Sequence, residues 1–252
     1  MSEAVAGPAG GRTSWKGLVA QPVAILVVLG VFAVWLNVAD LTPTERSTLS
    51  PSSIVSLTWQ HVLLTIVSTA IVLVVGIPLG VVLTRAPFNR ASNVILAIAN
   101  FGQAAPAIGL VVLMAMWLGF SYWAAVIALV LYAILPVLRN TIIGIESVDA
   151  RLVEAGRGVG MTAFSTLMRV ELPLAVPIML AGIRTALVLL VGSATLATFI
   201  GGGGLGLLIT TGVTLFLPKV LVAGALLVAL LALSIDWIGR VVETVARPKG
   251  LR

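Results

Sequence analysis

The chain has 252 residues, 60% of them apolar and only 10% charged. Soluble domains average about 45–50% apolar and about 25% charged, so one globular core of this size cannot hide the excess, and a membrane protein results. The net charge of +6 comes from basic residues spread along the chain; this excludes a nucleic-acid stripe, and scattered Arg and Lys in an apolar chain read as topology markers.

A membrane helix needs about 20 mostly apolar residues, because each rises about 1.5 Å through a core about 30 Å thick. Residues 1–17, rich in Gly, Ala and Pro at their start, predict a disordered cytoplasmic tail. A first span follows at Leu18–Ala39, longer than the roughly 7–15 residues of a signal-peptide core. Asp40–His61 is polar and interrupted by Pro43 and Pro51, which predicts a turn or a short surface helix on the outer side.

Val62–Thr84 is the second span, with a small-residue face at Gly76 and Gly80 for helix packing and a kink at Pro78. His61, at its outer end, reads as an interfacial polar residue. The third span, Val94–Leu118, is interrupted by Asn100, Gln103 and Pro106. Buried amides need partners, so these side chains are expected to face the bundle interior, as packing or as the lining of a path. Tyr122–Leu138 is the fourth span.

The inner segment from Arg139 to Pro173 is the longest polar stretch between spans. Asp149 is a fitting N-cap for a short helix through about Arg157, which Gly156, Gly158 and Gly160 then break. Thr162 can cap a second helix carrying Phe164, Leu167 and Met168, which Pro173 is expected to end. Such a helix–break–helix either lies on the lipid surface or docks a partner.

Leu174–Ile200 is the fifth span. Prolines 173 and 177 predict a helix start near residue 177, so that Arg184 reaches the cytoplasmic interface as an anchor. The glycines from Gly201 to Gly206 predict a non-helical turn at the outer face, either structural or lining a substrate path at Gly203 and Gly204. Val220–Ile238 is the sixth span, with Asp236 placed to pair with Arg240 four residues on. Residues 240–252 form a cytoplasmic tail.

With the N-terminus inside and six crossings, the outer side receives only Arg46 and Lys219 of the 15 Lys and Arg. Both termini are then cytoplasmic. Trp15, Trp59, Trp117, Trp123 and Trp237 all fall near span ends, as an aromatic belt requires.

Catalytic and metal chemistry find no support. There is no cysteine and one histidine, which leaves no thiol, no disulfide and no zinc site built on Cys or paired His. No lysine follows the G-K-[ST] pattern of an ATP-binding loop, and G-x-S-x-G is absent. The G-x-G-x-x-G formally present within residues 201–206 lacks the surrounding strand and acidic residue of a dinucleotide site.

The inner loop holds Glu154, Ala155 and Gly156, then Arg157, Gly160 and Leu172-Pro173. This resembles the EAA signature of permease subunits in bacterial ABC importers, with Gly156 standing where the family has its second alanine. The resemblance extends from about His61 to Ile238. Ile77-Pro-Leu-Gly80, Leu135-Pro-Val-Leu-Arg-Asn-Thr141, Val170-Glu-Leu-Pro-Leu-Ala175, Ala181-Gly-Ile-Arg-Thr-Ala186 and Gly203-Gly-Leu-Gly206 are similar to its osmoprotectant branch.

The resemblance implies an all-α polytopic protein of about six spans with the type I ABC importer permease fold, in the bacterial inner membrane. It implies import of glycine betaine, choline, carnitine or related solutes, with another small solute such as an amino acid as the alternative. An ATP-independent secondary transporter is the alternative from a different class; it would have no need of a docking loop. Partners implied are an ABC ATPase dimer, an extracytoplasmic substrate-binding protein, a second permease subunit (self or sister chain) and membrane lipid, with no nucleic acid. The chain would bind no cofactor; ATP and Mg belong to the ATPase. Within a loop of about 145–173, Glu154 would supply polar contacts, Ala155 and Gly156 close approach, and Gly160 the chain reversal.

Overall fold

The computed structural model of the chain describes residues 15–85 and 88–246. The expected disordered tail before Trp15, Arg12 within it, and Arg247, Lys249 and Arg252 lie outside the described residues. All secondary structure in the described residues is helical. Five helices are long and apolar enough to cross a membrane, and a bent pair adds a sixth crossing if it counts as one.

Helix α1 (Trp15–Val38) is the first span. The loop after α1 holds a short helix, α2 (Pro43–Thr48), closed by a capping box in which Thr42 and Glu45 satisfy each other's backbone N–H. Helix α3 runs over Pro51–Leu83 and starts earlier than its apolar stretch predicts, because Ser50 caps it and Pro51 fits the first turn. The third span is two helices, α4 (Asn89–Ala104) and α5 (Ala107–Leu118), bent by 99°. Ala105, preceding Pro106, is extended (φ −64°, ψ 143°), as the proline ring demands of its neighbour.

Helix α6 (Tyr122–Glu146) continues well past Leu138, with Arg139 inside it. The inner loop contributes α7 (Ala150–Gly158) and α8 (Ala163–Thr166). Pro173 does not end the second inner helix. A π turn over Leu167–Glu171 leads directly into α9 (Leu172–Ser193), where Pro173 occupies the first turn and Pro177 lies inside. A first-turn proline forfeits no intrahelical hydrogen bond, so the helix starts at Leu172 rather than near residue 177. A 3₁₀ segment, Ala194–Ile200, follows. Helix α10 (Gly206–Thr214) precedes α11 (Pro218–Ala246), which turns residues 240–246 of the expected tail into helix.

The core centres on α6. Its Ala124, Ala125, Ala128 and Ala133 are buried against Leu64 and Val72 of α3, Val111 and Met114 of α5, and Ala186 and Leu190 of α9. Small residues set the helix separation: a Cβ on Gly80 would stand 2.7 Å from Cβ of Thr141, closer than packed atoms allow. A second cluster joins α1, α10 and α11 through Phe32, Leu205, Leu208, Ala223 and Leu227.

Candidate functional site

In the segment between α6 and α9, Asp149 starts α7 by accepting the Arg151 backbone N–H at 2.9 Å, while its carboxylate also takes the Arg151 guanidinium at 2.7 Å. The guanidinium, followed by the backbone N–H, holds the Asp149 carboxyl below its usual range. The helix ends where Gly160 turns at φ +87°, a conformation that glycine adopts without steric penalty.

Glu154, Ala155, Arg157 and Gly160 are exposed, whereas Gly156 is buried. A Cβ on Gly156 would lie 3.4 Å from Sδ of Met161 and 3.7 Å from the Thr166 and Val170 side chains. Gly156 therefore faces the chain's own following segment, at distances where an added Cβ would make ordinary contacts. Leu172 packs inward beside Ile145, Ala175 and Met179, and Pro173 is exposed in the first turn of α9. The loop's outward surface carries Leu152 at 49%, Val159 at 78% and Phe164 at 69% exposure, apolar side chains with no core to join.

At the opposite end of α9, the glycine turn is held by α3. Gly203 and Gly204 adopt φ of +72° and +89°. Gln60 accepts the Gly204 N–H at 3.3 Å. His61 accepts the Leu205 N–H at Nδ1 (3.2 Å), which leaves its proton on Nε2 to be donated to the Val191 carbonyl at 2.9 Å. His61 is 0% exposed, so it is a buried brace and not the interfacial residue that its position at a span end predicts. A Cβ on Gly204 would meet His61 Nδ1 at 2.9 Å. Gly204 is buried and Gly203 half-buried.

Asn100 and Pro106 are exposed on this chain and Gln103 is half-buried, all around the α4–α5 bend. The interior placement expected for Asn100 and Pro106 does not occur within this one chain. Among the described residues, neither the Asn100 nor the Gln103 side chain has a hydrogen-bond partner.

Because α9 starts at Leu172, Arg184 stands about three turns into the helix rather than two, and it is held by acidic side chains of α11. It bonds Glu243 at 3.1 Å and lies 3.8 Å from Asp236, which pairs with Arg240. Arg240 also donates to Gln21 of α1, and Trp237 Nε1 donates to the Leu18 carbonyl at 2.7 Å. Among the described residues no group of three His, Asp or Glu is placed to hold a metal. Sequence reasoning missed the Gln60–His61 brace, the Gln21 latch and an ion pair between Arg85 and Glu171. Partners this distant in the chain leave no local spacing to read.

The profile of the binding-protein-dependent transport system inner membrane component family matches residues 76–247. The chain belongs to this family. It is a transmembrane permease subunit of an ABC importer, a family that works with an ATPase and a substrate-binding protein. The glycine betaine/carnitine/choline transport system permease protein OpuCB of Bacillus subtilis (strain 168) is 40% identical over 77% of this chain and 89% of its own length. The choline transport system permease protein OpuBB of the same organism is also 40% identical, with the same coverage. Among solved structures, the inward-facing MetNI methionine ABC transporter matches with a TM-score of 0.66 at 25% identity, over 77% of this chain and 95% of that one. The permease is thus an all-α polytopic membrane protein with the type I importer fold, and α1 precedes the matched segment.

Proposed function

We propose that this permease imports glycine betaine, choline, carnitine or closely related solutes, driven by an ATPase that docks on α7. The observation that carries the ATP coupling is α7 itself. It is a capped helix with its buried Gly156 against the following helix and with Glu154, Ala155, Leu152 and Val159 left exposed. The solute class is supported by relatives 40% identical over 77% of the chain that are named for those compounds.

In this reading both termini and the loop of about 145–173 lie in the cytoplasm. Closure of the ATPase dimer displaces α7, and the displacement reaches α6 and α9, between which α7 is strung. Coupling of this kind needs a rigid contact that biases a two-state element. Glu154 supplies polar contact to the ATPase, Ala155 allows its close approach, and Gly160 turns the chain back. Leu172 and Pro173 seat the start of α9. The path runs past Asn100, Gln103 and Pro106 at the α4–α5 bend and past Gly203 and Gly204. The free amides of Asn100 and Gln103 face solute or a second permease subunit, self or sister. The amides can hydrogen-bond the carboxylate or hydroxyl of such solutes; selection falls to the separate binding protein.

The test is ATP hydrolysis by the reconstituted complex with its binding protein, given glycine betaine, choline, carnitine or methionine in turn. Stimulation by one or more of the first three and not by methionine is expected. Stimulation by methionine alone would assign the permease to amino acids.

A further inference from the structure

The carboxylate of Glu171 is 4% exposed, yet it closes the π turn that leads from the inner loop into α9. Its partner comes from a different span. Arg85 follows the last turn of α3, where its backbone N–H bonds the Val82 carbonyl at 3.0 Å. Its guanidinium meets Glu171 with both prongs, Nη1 to Oε1 at 3.2 Å and Nη2 to Oε2. A two-pronged Arg–carboxylate pair fixes direction as well as distance. Losing either partner would strand a charge, so the link resists being pulled apart.

The neighbours of this pair give it a mechanical position. Thr166 and Val170, in the helical run through Glu171, lie with Met161 against Gly156 of α7. On the other side, Arg85 follows the helix whose Leu79 and Leu83 cluster with Ile95, Leu96 and Ala99 of α4 and with Leu138 and Ile142 of α6. Asn100 and Gln103 lie in the last turns of that same α4. A π turn carries one residue more than an α turn, which re-aims the side chains at its end, and such turns recur at functional sites.

We propose that the Arg85–Glu171 pair is a strap that carries displacement of α7 across to the end of α3 and so to α4. This rests on the reading of α7 as the ATPase docking element. Helix α6 packs against both α3 and α4 and carries part of the displacement to them; the strap adds a direct, directional link from the end of the inner loop to the end of α3. Arg85 and Glu171 are then positioning residues for transport, with no part in holding the ATPase.

The experiment uses the complete transporter in proteoliposomes, with the binding protein outside and ATP inside. ATPase capture and uptake per ATP hydrolysed are measured for the parent, Arg85→Gln, Glu171→Gln, the exchange variant Arg85→Glu/Glu171→Arg, and Glu154→Arg as a docking control. The solute is whichever of glycine betaine, choline and carnitine the parent moves fastest. The strap predicts that both single variants capture the ATPase like the parent, while uptake per ATP falls about tenfold. The exchange variant regains at least half of the parent ratio.

A parent-like ratio in the single variants, or a low ratio that the exchange does not raise, overturns the strap. If a single variant fails to assemble, Arg85→Lys decides: it keeps the charge and loses the fork, so a parent-like ratio contradicts the proposal and a several-fold fall supports it. The control separates the two readings. Glu154→Arg is expected to lose ATPase capture, and undiminished capture would overturn the docking reading whatever the strap variants do.

Discussion

Single residues decide the two ends of this permease. His61 satisfies a helix-end carbonyl and a turn N–H at once, and both groups are buried with it. Replacing it by Ala leaves both without a partner, at about 1–3 kcal/mol for each. His61→Ala is therefore expected to lower stability by about 2–6 kcal/mol, read as an earlier thermal transition in detergent. A transition within a degree or two of the parent would show that the brace is dispensable. Gly156 makes the opposite case. The family's second alanine would meet only ordinary contacts there, and alanine is favoured over glycine inside a helix by about 1 kcal/mol. Gly156→Ala is expected to raise stability by up to about that amount, and a lower transition would mean that α7 needs its glycine for another reason.

At the scale of elements, the short helix α2 has a pH dependence of known sign. The backbone N–H of Thr42 is the largest influence holding the Glu45 carboxyl below its usual value, with the Thr42 hydroxyl and Lys219 acting in the same direction and burial opposing them. A carboxyl depressed in the folded state contributes stability that is fully present above the ordinary carboxylate pKa, near 4.5, and lost as pH falls through the depressed folded value. Thermal stability is thus expected to drop between about pH 5 and pH 3 by less in Glu45→Gln than in the parent; equal slopes would remove the capping box from the account.

The same scale separates what was legible in the sequence from what was not. Apolar length revealed the spans, because the solvent that each helix meets is written in its composition. Asp149 and Thr162 announced α7 and α8, because capping is a local exchange of hydrogen bonds. Helix α3 was read too short because Ser52, Ser53, Ser56 and Gln60 hide its first turns from a hydropathy count, although Ser50-Pro51 is a helix start. Pro106 marked the interruption of the third span but not its 99° angle, which depends on what α4 and α5 pack against. The partners of His61 lie 130 and 144 residues away, and those of Arg85 and Gln21 are also remote. Pairings set by topology have no signature in spacing. The EAA-like loop was readable as a motif, but the inward turn of Gly156 was not, since a glycine on either face of a helix looks the same in sequence.

The molecule as a whole joins a rigid centre to a polar latch. Helix α6 gathers α3, α5 and α9 around it, while α1, which precedes the family-matched segment, is tied to α11 by Gln21, Leu18, Trp237 and Arg240. Basic residues concentrate on the α7 side of this frame, so the sequence's charge asymmetry and the proposed docking side agree. In the proposed reading, the partner ATPase drives uptake from that side. The decisive measurement is uptake of labelled glycine betaine, choline and carnitine into proteoliposomes holding the permease, its ATPase and any sister permease, with the binding protein outside. Uptake of at least one of them that appears with ATP inside and vanishes when ATP is withheld is the predicted result. Equal uptake with and without ATP would contradict the account and make the protein a secondary transporter.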